Sequence, residues 1–268
     1  MTTHKQLLIG ISSVLIAMGS SFGASAPAEA GIARRTAHSG TVVRHRRRAM
    51  RKISAATAQL PPDPTRIIAW TEIRENKTLK KKYVALTFDD GPSPEYTPQV
   101  LKTLKDNGIH AVFCLVGLQV KKYPELVKQI VEDGHKIADH SMNHCESLTR
   151  CSDKKLTAEI LGDKELIQSV VPGTSVDYYR APGGDWSHRV RAYAVSCGMK
   201  PLGWSVDTKD WQTPGEDAIV KTVTSHVRPG AVILMHDAGG NRSQSVAALK
   251  EIIPQLKRAG YEFAFPAS

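Results

Sequence analysis

Cysteine is scarce in this sequence, with four residues (Cys114, Cys145, Cys151 and Cys197) in 268. None stands in a C-x-x-C spacing, which excludes a thiolate metal module, and four are too few for a disulfide scaffold of this length. Long apolar runs are missing too. The longest, Leu7–Met18, is about a dozen residues, short of the roughly 20 that cross a bilayer. Acid is absent between Gly31 and Ala58, where Arg34, Arg35, Arg44, Arg46, Arg47, Arg48, Arg51 and Lys52 supply most of the formal net charge of +10. A block of one sign repels itself and does not build a core.

What is there divides the chain in three. Residues 1–30 have a short polar start, the Leu7–Met18 run and Ala28-Glu29-Ala30, the pattern of a secretory signal peptide cut after Ala30. An uncleaved anchor is the alternative. Residues 31–64 read as a basic disordered linker, ending in Pro61-Pro62-Asp63-Pro64. Its charge suits either a solvated spacer or a tether to an anionic polymer. Nucleic acid is not expected as a partner of an exported chain, and no membrane span is expected in the mature protein. In that setting Cys145 and Cys151, which enclose a short polar loop, are the first candidates to pair. Cys114 lies in an apolar run and is expected to be buried. Residues 65–268 form the folded domain.

From Tyr83 onward strands and helices alternate. Strands are predicted at 83–88, 110–116, 136–141, 177–180, 200–206, 231–237 and 261–265. Helices are predicted at 96–107, 123–133, 156–171, 187–197, 216–227 and 243–259, most of them closed by a glycine. Such alternation implies an α/β domain with about seven parallel strands. Doubly wound sheet and barrel both fit the rhythm. Polar residues decide between them: Asp89/Asp90, His140, Arg180, Asp207 and His236/Asp237 all sit at strand ends. A closed or nearly closed sheet brings so many strand ends to one centre most naturally, so a distorted (β/α) barrel is predicted.

His140 and His144, four apart in HSMNH, present two imidazoles on one face if the backbone is helical or tightly turned. With a carboxylate from elsewhere they make a three-ligand site with open positions for water. By itself the spacing also fits two surface histidines. TFDDGP (Thr87–Pro92) places two acids beside a buried strand, which is costly unless their charge is compensated. The same residues also fit a plain turn. His236 in LMHD is either a satisfied core histidine or a proton donor. Arg180, before Pro-Gly-Gly, can orient a carboxylate. Trp186, Trp204 and Trp211 fit a core, and Trp186 and Trp211 also fit platforms for sugar rings.

Taken in order, TFDDGP, HSMNH, RAPGG, DTKDW and LMHD resemble the motifs of the polysaccharide deacetylase family (NodB homology domain, carbohydrate esterase family 4), over about residues 80 to 266. The resemblance implies a barrel with fewer than eight strands. It implies Asp89 as general base, Asp90, His140 and His144 as metal ligands, and Arg180 as the holder of the base. It further implies Asp210 as the residue steering His236, the general acid, with Trp211 walling the groove and Leu234 forming the methyl pocket. Gly183 stands where many members carry an aromatic residue, so the groove is expected to be more open there or to be filled by Trp186. The Gly183 N–H remains able to hold an oxyanion.

The activity implied is hydrolysis of N-acetyl groups on N-acetylglucosamine units of peptidoglycan or chitin, with a divalent ion, zinc first and cobalt or nickel as alternatives. O-deacetylation of acetylxylan, a silent wall-binding module and a glycosidase using the paired carboxylates are the rivals. A monomer, secreted or wall-associated, is expected, with the basic segment on an anionic wall polymer.

Overall fold

The computed structural model describes residues 63–78 and 81–267. The expected signal segment and nearly all of the basic segment lie outside them. The elements are β1 (Glu75–Asn76), β2 (Lys81–Asp89), α1 (Thr97–Asp106), β3 (Val112–Leu115), α2 (Gly117–Lys122), α3 (Pro124–Glu132) and β4 (Lys136–Asp139), followed by α4 (Asp153–Val170), β5 (Val176–Tyr179), α5 (His188–Ser196), β6 (Lys200–Pro201) and β7 (Val206–Asp207). The chain ends with α6 (Glu216–His226), β8 (Val232–His236), α7 (Ser243–Arg258) and β9 (Tyr261–Phe263).

Local chemistry accounts for the helices. Pro98 opens α1, and Val100, Leu101 and Leu104 bury one face of it. Ser152 and Ser187 cap α4 and α5, each accepting a backbone N–H three residues on.

Seven parallel strands run in the order β6-β5-β4-β3-β2-β8-β7. The predicted strand 200–206 is two short strands instead of one. Leu202 N–H donates to Tyr179 O beside β5, and three residues later Ser205 N–H donates to Val232 O in β8. The outer two strands are therefore successive stretches of one segment, and the sheet curls round on itself as a distorted barrel. A single straight strand could not satisfy both neighbours. The predicted last strand, β9, pairs with Lys82–Val84 at the start of β2, below the β8 partners Ala85–Asp89. Helix α2 was not apparent in the sequence, because six residues are too few to show a helical period.

Side chains of a strand alternate between faces. The inner ones form a small apolar cluster of Ala85, Val112, Cys114, Ala138, Tyr178, Leu202 and Val232. The outer ones pack on the helices in the main core. Continuing the inward alternation by two or four residues gives Asp89, His140, Arg180 and His236. Each of these polar groups therefore caps an inner row at the C-terminal rim, where barrels build their sites.

Candidate active site

The ends of the seven strands and the loops that follow them surround a cavity of about 730 Å³. Its lining includes Asp89, Asp90, His140, His144, Gly183, Trp204, Trp211, Leu234 and His236.

Asp89 and His236 are register partners across β2 and β8. Asp89 is buried, and its Oδ1 accepts from Arg180 Nη1 at 2.6 Å. Arg180 is fully buried and uses its whole fork: Nη1 also reaches Thr87 Oγ1, Nε the carbonyl of Leu202 and Nη2 that of Gly203. Burial works against its charge, but Asp89 outweighs it and the guanidinium pKa is raised. A charge so far from water persists only with this degree of pairing.

The same residue touches the histidine cluster through its backbone. Nδ1 of His140 lies 2.8 Å from Arg180 O, so that nitrogen donates and Nε2 keeps a lone pair. That Nε2 lies 3.5 Å from Asp90 Oδ1, and His144 Nε2 lies 3.1 Å from the same oxygen. The three donor atoms lie within 4.8 Å of one another. Burial would raise the Asp90 carboxyl, but the two imidazoles outweigh it and hold it far below the usual carboxylate range.

The histidine pair sits on a tight turn, one of the two backbones its spacing allowed. Ser141 and His144 both take left-handed backbone, with φ of 65° and 53°. The turn is braced from below. Asp139 Oδ1 accepts from Ser141 N–H, and Glu159 of α4 accepts from the backbone N–H and side-chain amide of Asn143. Asp139 and Asp163 are buried together and burial drives both carboxyls upward, Asp163 to about 8. None of Asp139, Glu159 and Asp163 was singled out in the sequence. Mid-helix acids look solvated until the fold shows what they face.

On the other side of the cluster, His236 Nδ1 lies 2.7 Å from Asp210 Oδ1, and His236 N–H donates to Oδ2 at 2.9 Å. Ser245 and Thr208 also donate to this carboxylate. Burial would lower the His236 pKa, but Asp210 outweighs it and the imidazole is raised above its ordinary value.

Gly183 has φ of 60° and, among the described residues, its N–H is used by no protein hydrogen bond. Trp211 is half exposed on the rim and Leu234 is buried at the cavity wall. Trp186 departs from expectation: it packs edge-on against Tyr179, ring centres 5.8 Å apart, and does not line the cavity. The indole beside the Pro-Gly-Gly turn is Trp204, which lines the cavity and approaches Gly184. Sequence proximity favoured Trp186, but its ring is claimed by the core. Glu146, 3.6 Å from His144 Nδ1, also lines the cavity and was not foreseen. The candidate pair Cys145 and Cys151 is not bonded. All four cysteines are free thiols, with Cys114 buried as expected.

A parallel α/β barrel with a carboxylate–bis-imidazole cluster between an acid–arginine pair and an acid–histidine pair defines a barrel hydrolase architecture. The family model described as polysaccharide deacetylase matches residues 76–202. A peptidoglycan-N-acetylglucosamine deacetylase of Bacillus cereus is 40% identical over 203 residues, 75% of this chain and 92% of that protein. A chitooligosaccharide deacetylase of Bradyrhizobium sp. is 39% identical over 190 residues, 67% of this chain and 86% of that one. A solved peptidoglycan N-acetylglucosamine deacetylase, in complex with an N-hydroxybenzamide, superposes with a TM-score of 0.67 at 34% identity, covering 74% of this chain and 89% of that chain. The chain belongs to the polysaccharide deacetylase family.

Proposed function

We propose that this protein hydrolyses N-acetyl groups from N-acetylglucosamine units of a polysaccharide, peptidoglycan or chitin, and releases acetate. The convergence of Asp90, His140 and His144 between a held carboxylate and a held imidazole carries this reading. The donor set fits a cation: Asp90 Oδ1 is buried without a hydrogen bond, and the free His140 Nε2 faces it. Asp90, His140 and His144 would hold a divalent ion, zinc by ligand type with cobalt or nickel as alternatives. Once bound, the ion would supply Lewis-acid polarisation of the acetamide carbonyl and acidify a water.

The chain's own groups do the rest. Arg180 fixes Asp89 so that its Oδ2 is left to accept a proton from the attacking water. The Gly183 N–H is open to the oxyanion. His236, its pKa raised by Asp210, donates a proton to the departing sugar amine. Leu234 and Trp211 shape the pocket around the acyl group and ring.

Export and wall association are part of the proposal. They are supported by the apolar run and cleavage pattern of residues 1–30 and by the basic stretch that follows, which suits an anionic wall polymer. No helix among the described residues is long and apolar enough to cross a membrane.

The test is acetate release from chitin oligomers, peptidoglycan and acetylxylan, before and after chelation and after adding zinc back. Release from the N-acetyl substrates that is lost on chelation and restored by zinc is the expected result. Release from acetylxylan alone, or release indifferent to chelation, overturns the proposal.

A further inference from the structure

Arg180 and Arg242 are both buried near the active-site cavity, and among the described residues only Arg180 has a counter-charge. Arg180 is paired with Asp89. Arg242, 4% exposed, lines the same cavity, and among the described residues no carboxylate comes within ion-pair reach of it. Its Nε donates to Ala238 O at 2.6 Å and its Nη2 to Gly239 O at 2.9 Å. Among the described residues Nη1 finds no acceptor, and it is not one of the side-chain atoms sealed from water. Arg242 itself lines the cavity, so its remaining N–H groups are available to a ligand there.

The position is close to the chemistry. Gly239, whose carbonyl Arg242 holds, is packed against Asp90: a Cβ built there would stand 2.3 Å from Asp90 Oδ2. The cavity's acids near this end are already answered, Asp89 by Arg180 and Asp90 by the two imidazoles. Keeping a guanidinium out of water costs several kcal/mol unless an anion joins it, and two carbonyls are only a partial answer. A planar fork with open N–H groups matches a carboxylate.

We propose that Arg242 is a specificity-determining residue that recognises a carboxylate on the sugar next to the reacting N-acetylglucosamine unit. The inference rests on the deacetylase reading and deepens it. A neutral glucosamine polymer offers no such group. A lactyl ether acid of the muramic type does, and so does a peptide attached to that acid, and both sources present the same chemistry.

The test uses metal-loaded full-length protein and pairs of N-acetylglucosamine oligosaccharides. Within a pair, the neighbouring sugar carries either a free carboxylate or its methylamide. One arm places the carboxylate on the lactyl ether and a second on an attached peptide, so the arm that responds identifies the source. The wild type is expected to favour the acid in kcat/KM by about tenfold or more, the scale of a charged hydrogen bond. Arg242→Gln is expected to bring that ratio towards one, with Arg242→Lys in between. A wild-type ratio near one in both arms overturns the proposal whether or not the variants fold. So does an Arg242→Gln variant that weakens acid and amide equally, which is what a purely structural tether of the 238–242 loop would do. Equilibrium binding of the same pairs gives the ratio without turnover. Absence of acetate release from every substrate then counts against the deacetylase reading, while the binding ratio still decides the role of Arg242.

Discussion

Asp210 grips His236 twice, through the ring Nδ1 at 2.7 Å and through the backbone N–H at 2.9 Å. One carboxylate thus fixes both the tautomer and the height of the imidazole above the end of β8. It also raises the ring's pKa against the pull of burial. A general acid works only while protonated, so activity should fall as pH rises through the raised His236 pKa. In Asp210→Asn that support is gone, and the basic limb of the kcat/KM profile should move to lower pH, with kcat down by about 10²-fold at neutral pH. A pH–rate profile of the two proteins checks this. A limb that stays in place removes His236 from the acid role.

Asp89→Asn should lower kcat by about 10²–10⁴-fold, the usual worth of a general base. It also strips the buried Arg180 of its counter-charge, and breaking a buried pair costs about 3–5 kcal/mol. The thermal midpoint should fall with the activity while the bound metal stays, as elemental analysis of the purified variant would report. Near wild-type turnover would assign the water proton to another group.

His140→Ala removes one donor of the proposed metal site, an imidazole whose orientation the Arg180 carbonyl fixes. Both metal content and acetate release should drop, and excess zinc should restore little of either. Full metal occupancy in this variant would place the ion elsewhere.

Gly239→Ala tests the same centre from behind. The new methyl would stand 2.3 Å from Asp90 Oδ2, on backbone with φ of 73° that already disfavours a side chain. Asp90 must move, so metal affinity should fall although no ligand has been changed. Competition with a chelator would measure it.

Asp237 is buried behind the site, where Thr97 donates to it and Gly91 leaves no room for a Cβ. Burial raises its carboxyl from 3.8 to about 7, with Asp90 and Asp89 adding to the effect. The folded state therefore favours the protonated acid. That contribution is complete below the unfolded value of 3.8 and is lost as pH rises through about 7. Asp237→Asn stays neutral throughout. Its thermal midpoint relative to the wild type, both metal-free, should accordingly rise between about pH 4 and pH 7 and level off above that. A difference that is flat with pH would mean that Asp237 folds as a carboxylate.

Much of the site was legible because it sits at strand ends. A strand is a local pattern, and a polar residue that interrupts an apolar run announces the rim of the sheet. Asp89, Asp90, His140, Arg180 and His236 were found in that way, and their roles followed from the five ordered motifs. Trp186 and Trp204 show the limit. Both are tryptophans near the same turn, and nothing local says which indole the core will claim. Glu159, Asp163 and Arg242 show the opposite failure: charged residues in or before helices look solvated, and only the fold reveals that they face the histidine turn or the cavity.

The order of strands and helices, the buried rows and the polar groups at the rim were settled by the chain itself, because periodicity and turn chemistry act over a few residues. Closure of the sheet through residues 200–207, the pairing of Arg180 with Asp89 and the solitary guanidinium of Arg242 belong to the tertiary structure. Each depends on segments far apart in sequence meeting within a few ångströms, and on which charges the closed barrel leaves without a partner.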